Sequence, residues 1–323
     1  MRDMRRIRVG VIGVGHLGQH HARLYASLPG AVLVGVADNN QDRARLIAER
    51  YGASAYGDPA ALLGQVDAVS IAVPTSSHHA VVKASLEAGV HVLVEKPIAV
   101  TSAEAHELVE LARTGGRVLQ IGHIERFNPA IQAVRPHIGK PAFIECHRLG
   151  PFGERGTDVD VVLDLMIHDL DMVLSFHPGP VEEVRAAGVP VLSSNIDIAN
   201  ARIVFSSGCV ANLTASRVST TRMRKLRLFQ RDAYVSVDYQ TRQGIICRRV
   251  MGRSERPEIE VEQVRGGDEE PLKLQLEAFL RAVVTGTPPT VSGEDGATAL
   301  DLAHQVLDAI GDFMRRHGEP RES

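Results

Sequence analysis

Lys96 sits inside an unusual run, HVLVEKPIAV, at residues 91–100. Val92, Leu93 and Val94 read as a buried strand, and Glu95, Lys96 and Pro97 then follow without a turn residue. Proline lacks an N–H and fixes φ, so the chain direction is set just after the lysine, and the Lys96–Pro97 bond is a candidate for the cis form. An ammonium fixed at a strand end suits proton transfer or polarisation of an oxygen. A surface pair with Glu95 is the plainer alternative. A second set lies in VVLDLMIHDLDM, residues 161–172. On a helix, Asp164 and His168 are neighbours four apart, with Asp171 three further on. The segment is otherwise apolar, and burying such a polar stripe without use is costly. A carboxylate beside an imidazole orients the ring and raises its pKa, which readies it to exchange a proton with a hydroxyl. The alternative is a histidine capped by carboxylates at an interface. One histidine with loose carboxylates does not make a metal site, so none is expected.

The elements that must hold these groups alternate over residues 1–123. IRVGVI, VLVGVA, AVSIAV, VHVLV and RVLQI are short apolar runs separated by helical segments. Continuous apolar strands alternating with helices predict a parallel sheet covered on both faces, the doubly wound class. Between the first strand and first helix stands GVGHLG, a G-x-G-x-x-G loop. Gly13 suits the tight turn, Gly15 the approach of a pyrophosphate, and Gly18 close helix–strand packing; His16 and Leu17 complete the loop. The helix start offers N–H groups to phosphates. Asp38 follows at the end of the second strand, placed to accept hydrogen bonds from ribose hydroxyls. Asn39 and Asn40, not arginine, come next, so NAD is expected rather than NADP. A helix N-cap is the plainer role for Asp38. In such a sheet ligands sit beyond the carboxyl ends of the strands, where the loop, Asp38 and Lys96 all fall.

Residues 124–323 read differently. Helical stretches at 128–138 and 159–176 are followed by a succession of alternating segments, among them IDIANARIVFSS, CVANLTASRV and AYVSVDY. They predict an α+β domain with an antiparallel or mixed sheet, and amphipathic helices at 272–284 and 296–314 close the chain. The tail HGEPRES is expected to fray. The 323 residues suffice for about two domains. A net charge of −3 gives no reason to expect nucleic acid or an anionic membrane. Cys146, Cys209 and Cys247 form no disulfide framework, which suits a reducing cytoplasm. No apolar run approaches a membrane span.

Together GVGHLG, Asp38, IAVPTSSH, VEKP and the D-x-x-x-H of residues 164–168 resemble the glucose–fructose oxidoreductase / inositol dehydrogenase / MocA family over nearly the whole chain. The resemblance implies a Rossmann domain and a C-terminal α/β domain with a large open sheet, through which dimers or tetramers form. It implies that Lys96, Asp164 and His168 are the catalytic group, and that Pro74, Thr75 and Glu95 lie by the cofactor. Met166 stands where many members carry glycine. GHIERFNPAI, HRLGPF and residues 160–172 are similar to a narrower group, the UDP-N-acetylglucosamine 3-dehydrogenases. That likeness implies oxidation of a sugar C3 hydroxyl, with His168 as proton acceptor and an aminotransferase as downstream partner. A nucleotide-sugar substrate needs cations for its diphosphate. Arg126, Arg148 and Arg217 are candidates, as is TRMRKLR at 221–227, whose alternative is a charged strand edge. His123 and Asn128 are candidate sugar contacts, or simply loop hydrogen bonders. A free polyol such as inositol, or an NAD-binding sensor without catalysis, are the competing readings; a sensor needs none of Lys96, Asp164 and His168.

Overall fold

The computed structural model describes residues 6–153, 159–251 and 257–317, so the tail expected to fray falls almost wholly outside it. The chain forms two compact units. One takes the chain up to Ile124 together with Glu269–Leu300; the other takes Glu125–Asp268 and the chain from Asp301 onward.

The first unit begins β1 (Ile7–Ile12), α1 (Gly18–Ser27), β2 (Ala31–Ala37), α2 (Gln41–Tyr51), β3 (Ser54–Tyr56) and α3 (Pro59–Leu63). It continues with β4 (Ala68–Ile71), α4 (His78–Glu87), β5 (His91–Val94), α5 (Ser102–Gly115) and β6 (Leu119–Ile121). The strands pair in parallel in the order β3-β2-β1-β4-β5-β6. Every residue of β4 is buried, as is Val92–Val94 of β5, because helices cover both faces. The order reverses between β1 and β4, which opens a crevice at their carboxyl ends. Asn40 caps α2 by accepting from the Arg43 N–H, and Thr101 and Glu104 form a capping box on α5.

The second unit opens with α6 (Pro129–Val134) and β7 (Phe143–Leu149), then a π-helical turn at Val162–Met166 that runs into α7 (Ile167–Leu174). The remaining strands are β8 (Val181–Val189), β9 (Ile198–Phe205), β10 (Val210–Ser216), β11 (Met223–Phe229), β12 (Ala233–Asp238), β13 (Gln243–Met251) and β14 (Pro257–Arg265). They form an eight-stranded sheet, β14-β13-β12-β11-β7-β10-β9-β8, antiparallel except where β7 and β10 run together. Alternating burial along β7 and β9 marks one covered face, against which α7 and the π turn pack.

The chain closes with α8 (Pro271–Thr285) and α9 (Gly293–His317). A division at residue 123 would assign both to the second domain, but Glu269–Leu300 returns to the first unit. The reason is burial: Leu276, Phe279 and Leu280 of α8 join the cluster of Ile7, Leu24, Tyr25 and Leu28. The start of α9 seals β6, where a side chain at Gly296 would meet Ile121 at 2.5 Å. Among the described residues no helix is long and apolar enough to cross a membrane.

Candidate active site

The glycine loop sorts into three roles. Gly13 adopts φ +82°, donates to the Ala37 carbonyl at 2.7 Å, and turns the chain from β1 into α1. A Cβ at Gly18 would stand 1.8 Å from the Gly13 carbonyl oxygen, so only glycine lets helix and loop pack. A Cβ at Gly15 would meet nothing closer than the Arg43 guanidinium at 3.5 Å. Nothing in the fold requires glycine there, so the space it leaves has room for the approach of a ligand. The loop borders a cavity of about 520 Å³, with Gly13, Gly15, His16, Leu17, Asp38 and Pro74 in its wall. Gly18, Thr75, Glu95 and Lys96 are not part of that wall. Another cavity, about 370 Å³ near the amino ends of β5 and β6, holds none of the residues singled out by sequence.

Asp38 directly follows β2 and is buried. Its carboxylate accepts from the Val14 N–H of the glycine loop and from the Asn40 N–H, both at 2.9 Å, and Arg43 lies 3.6 Å away. Asn40, not Asp38, is the cap of α2. Asp38 thus fixes the loop and keeps acceptor capacity in the cavity wall, which suits ribose hydroxyls and opposes a 2′-phosphate. Open space over Gly15, an α1 start without a side-chain cap, and this acid fit a dinucleotide.

Lys96 lies two residues beyond the end of β5 at Val94, and the Lys96–Pro97 bond is cis. The residues on either side of it are tied down. Glu95 accepts from His21 Nε2 at 3.1 Å, and His21 Nδ1 lies 2.6 Å from Ser70 Oγ. A carboxylate only accepts, so Nε2 carries a proton toward Glu95. Burial opposes the charge on Glu95, but the His21 hydrogen bond and the nearby Lys96 charge outweigh it and hold its pKa below the ordinary range. The Pro97 carbonyl lies 2.7 Å from His78 Nδ1, and the Val73 carbonyl 3.0 Å from His78 Nε2. Burial draws the His78 pKa down, against both carbonyls and Glu95. The sequence reading gave neither histidine a role, although His78 closes the IAVPTSSH motif; His21 shows only as a polar residue on the apolar face of α1.

In the second unit, the uniform α-helix expected over 159–176 is interrupted. Asp164 sits within the π turn and His168 in the first turn of α7. Such turns widen the helix and are frequent at functional sites. Leu163, Asp164, Leu165 and His168 are half-buried, whereas Met166, Ile167, Asp169 and Asp171 are buried. Met166 therefore packs into the core beneath the turn. Asp171 does not extend a stripe with Asp164 and His168, because it takes Arg126 in a two-pronged pair at 2.8 and 2.7 Å.

The arginines expected to meet a diphosphate are mostly committed elsewhere. Arg148 is buried, donates to both oxygens of Asp169 at 3.0 and 2.8 Å, and reaches Glu125 at 2.9 Å. Burial opposes its charge, but the two carboxylates raise its pKa well above the ordinary value. Arg217 is buried against Asp197 at 3.0 Å and the carbonyls of Val159 and Ile196. Asn128 caps α6 by accepting from the Ala130 N–H and donates to Glu125. His123 is buried just after β6. TRMRKLR is not a strand edge: β11 lies between β12 and β7, where Arg227 pairs with Glu145 and Lys225 with Asp238. Arg224 differs from these. It is exposed and faces Arg148 across the β7–β11 ladder.

The model of an oxidoreductase family with an NAD-binding Rossmann fold matches residues 7–123, and that of a GFO/IDH/MocA C-terminal domain matches residues 132–236. The chain is 41% identical over 312 residues to a UDP-N-acetylglucosamine 3-dehydrogenase of Acidithiobacillus ferrooxidans, covering 96% of this chain and 99% of that one. It is 29% identical over 325 residues to a myo-inositol 2-dehydrogenase of Thermotoga maritima, covering 94% and 96% of the two chains. The solved structure of the Acidithiobacillus ferrooxidans enzyme superposes with a TM-score of 0.90 at 40% identity, over 96% of this chain and 100% of the other.

Proposed function

We propose that this chain, which belongs to the GFO/IDH/MocA oxidoreductase family, oxidises the C3 hydroxyl of UDP-N-acetylglucosamine to the 3-keto sugar, with NAD as acceptor. The observation that carries this is the near full-length likeness to a relative of that activity. Bound NAD supplies a hydride acceptor. The rest of the chemistry falls to side chains of this chain. His168 takes the hydroxyl proton as the C3–H bond breaks, Asp164 orients its ring, and Lys96 polarises the oxygen against the developing alkoxide. The first unit binds the cofactor through Gly13, Gly15 and Asp38. The second binds the sugar and provides the oligomer surface of a dimer or tetramer. Arg224 is the cation best suited to the diphosphate, since Arg126, Arg148 and Arg217 already hold carboxylates. The reaction runs in the cytoplasm, as the unpaired Cys146, Cys209 and Cys247 suggest, and an aminotransferase consumes the ketone on the way to a 3-amino sugar such as that of lipid A.

That same commitment of three arginines favours a second reading, oxidation of a free polyol such as inositol. One experiment separates the two. Purified protein with NAD is offered UDP-N-acetylglucosamine or myo-inositol, with a coupled aminotransferase to remove ketone, and NADH is followed by absorbance. NADH from the nucleotide sugar, with a KM about tenfold higher in Arg224→Ala, supports the first reading. Turnover of inositol alone overturns it.

A further inference from the structure

Lys96 has no regular structure after it to hold it, since β5 stops at Val94. A proton-transfer or polarising group must nevertheless be placed to within a fraction of an ångström, because a misplacement of about 1 Å costs on the order of a hundredfold in rate. The flanking residues supply the constraint. Before the lysine, the Glu95 side chain is enclosed: Gly122 leaves room for it, where a Cβ would come within 2.9 Å of Glu95 Oε2. There Glu95 accepts from His21, which is itself held by Ser70 of β4. After the lysine, the Pro97 carbonyl is met by His78, whose other nitrogen reaches the Val73 carbonyl beside the cofactor cavity. Both histidines are 1% exposed, and neither belongs to the cavity wall.

We infer that His21 and His78 are positioning residues that clamp the chain on either side of Lys96 and fix its ammonium for catalysis. The inference rests on the reading of Lys96 as part of the reaction site. His21 acts through Glu95, against β4. His78 acts through the Pro97 carbonyl, which lies 2.7 Å from its Nδ1. A neutral imidazole has one N–H, so His78 donates to one carbonyl at a time, the nearer being that of Pro97.

The test compares His21→Leu and His78→Leu, which keep volume but no donor, with His21→Gln and His78→Gln, which keep an N–H donor. The clamp predicts kcat about 10–100-fold lower in each leucine variant. NADH affinity, read by its fluorescence, stays within about threefold, and each glutamine variant regains a substantial part of the lost kcat. A leucine variant with full kcat overturns the clamp, as does one whose NADH affinity falls in step with kcat. Amide hydrogen exchange reads the same clamp without substrate. In the leucine variants the amides of Glu95, Lys96 and Ile98 exchange faster than in the wild type, the glutamine variants move back toward it, and unchanged exchange in the leucine variants overturns the clamp. A wild type that binds NADH but turns over no sugar sinks the proposed function, while the exchange result still decides the clamp.

Discussion

At the scale of single residues, the last two glycines of the loop make opposite predictions. Gly15 has open space around its missing side chain, whereas Gly18 has a carbonyl oxygen 1.8 Å from where a Cβ would be. Gly15→Ala should therefore leave the melting temperature nearly unchanged and weaken NADH binding at least tenfold, because the methyl fills the approach to the pyrophosphate. Gly18→Ala should lose thermal stability and NADH binding together, since α1 must move to relieve the clash. Circular dichroism melts with fluorescence titration of NADH check both. Equal loss of stability in the two variants would contradict the assignment. The turn at Gly13 and the packing contact at Gly18 were legible in the sequence, because each demands glycine at a fixed spacing. The role of Arg148 was not. An arginine near a substrate domain looks the same whether it meets a phosphate or a carboxylate, and Asp169, its partner, lies 21 residues on. His21 was equally hidden, because its partners are 49 and 74 residues away and nothing local announces them.

At the scale of elements, Arg148 joins β7 to α7 through Asp169 and to the start of the second unit through Glu125. Its removal leaves two buried carboxylates without their ion-pair partner, which costs about 3–5 kcal/mol. Arg148→Met should accordingly lower the unfolding midpoint in urea while leaving NADH affinity unchanged. A selective rise in KM with no loss of stability would instead return Arg148 to the substrate. A second tie joins β5 to β6: the Val118 N–H donates to His91 Nδ1 at 2.9 Å, which needs that nitrogen unprotonated. Burial first, and then Arg117, draw the His91 pKa below its ordinary value, with Asp67 in partial opposition. The unfolded chain therefore takes up a proton at a higher pH than the folded one does. Stability is full above about pH 6.5 and falls as pH drops from there toward the depressed folded pKa. His91→Asn should flatten the dependence of melting temperature on pH between about 7 and 5.5. An unchanged slope would show that His91 contributes nothing to it. The π turn that carries Asp164 also lay beyond the sequence, because the phase shift made by one extra residue leaves no mark on a segment as uniformly apolar as VVLDLMI.

At the scale of the whole molecule, the chain crosses between its units after Ile124, after Asp268 and after Leu300. The alternation of strands and helices announced the parallel sheet, and the succession of strands announced the second one. The return of α8 was not legible, because an amphipathic helix shows that it buries a face but not against which core. Its contribution is large. Burying Leu276, Phe279 and Leu280 is worth roughly 5–9 kcal/mol by transfer energies of about 1.5–3 kcal/mol each. That rivals the entire net stability of a typical domain, about 5–15 kcal/mol. Without α8, the faces of Ile7, Leu24, Tyr25 and Leu28 that meet it would be open to water. A fragment ending at Ile124 should therefore show no cooperative unfolding and no NADH binding, although it contains the glycine loop, Asp38 and Lys96. The same fragment joined by a short flexible linker to Glu269–Leu300 should recover both, and Phe279→Ala in the joined form should cost about 3–5 kcal/mol. NADH fluorescence and urea titration measure these outcomes directly. If the shorter fragment bound NADH as tightly as the full chain, α8 would be a cover rather than a part of the cofactor unit.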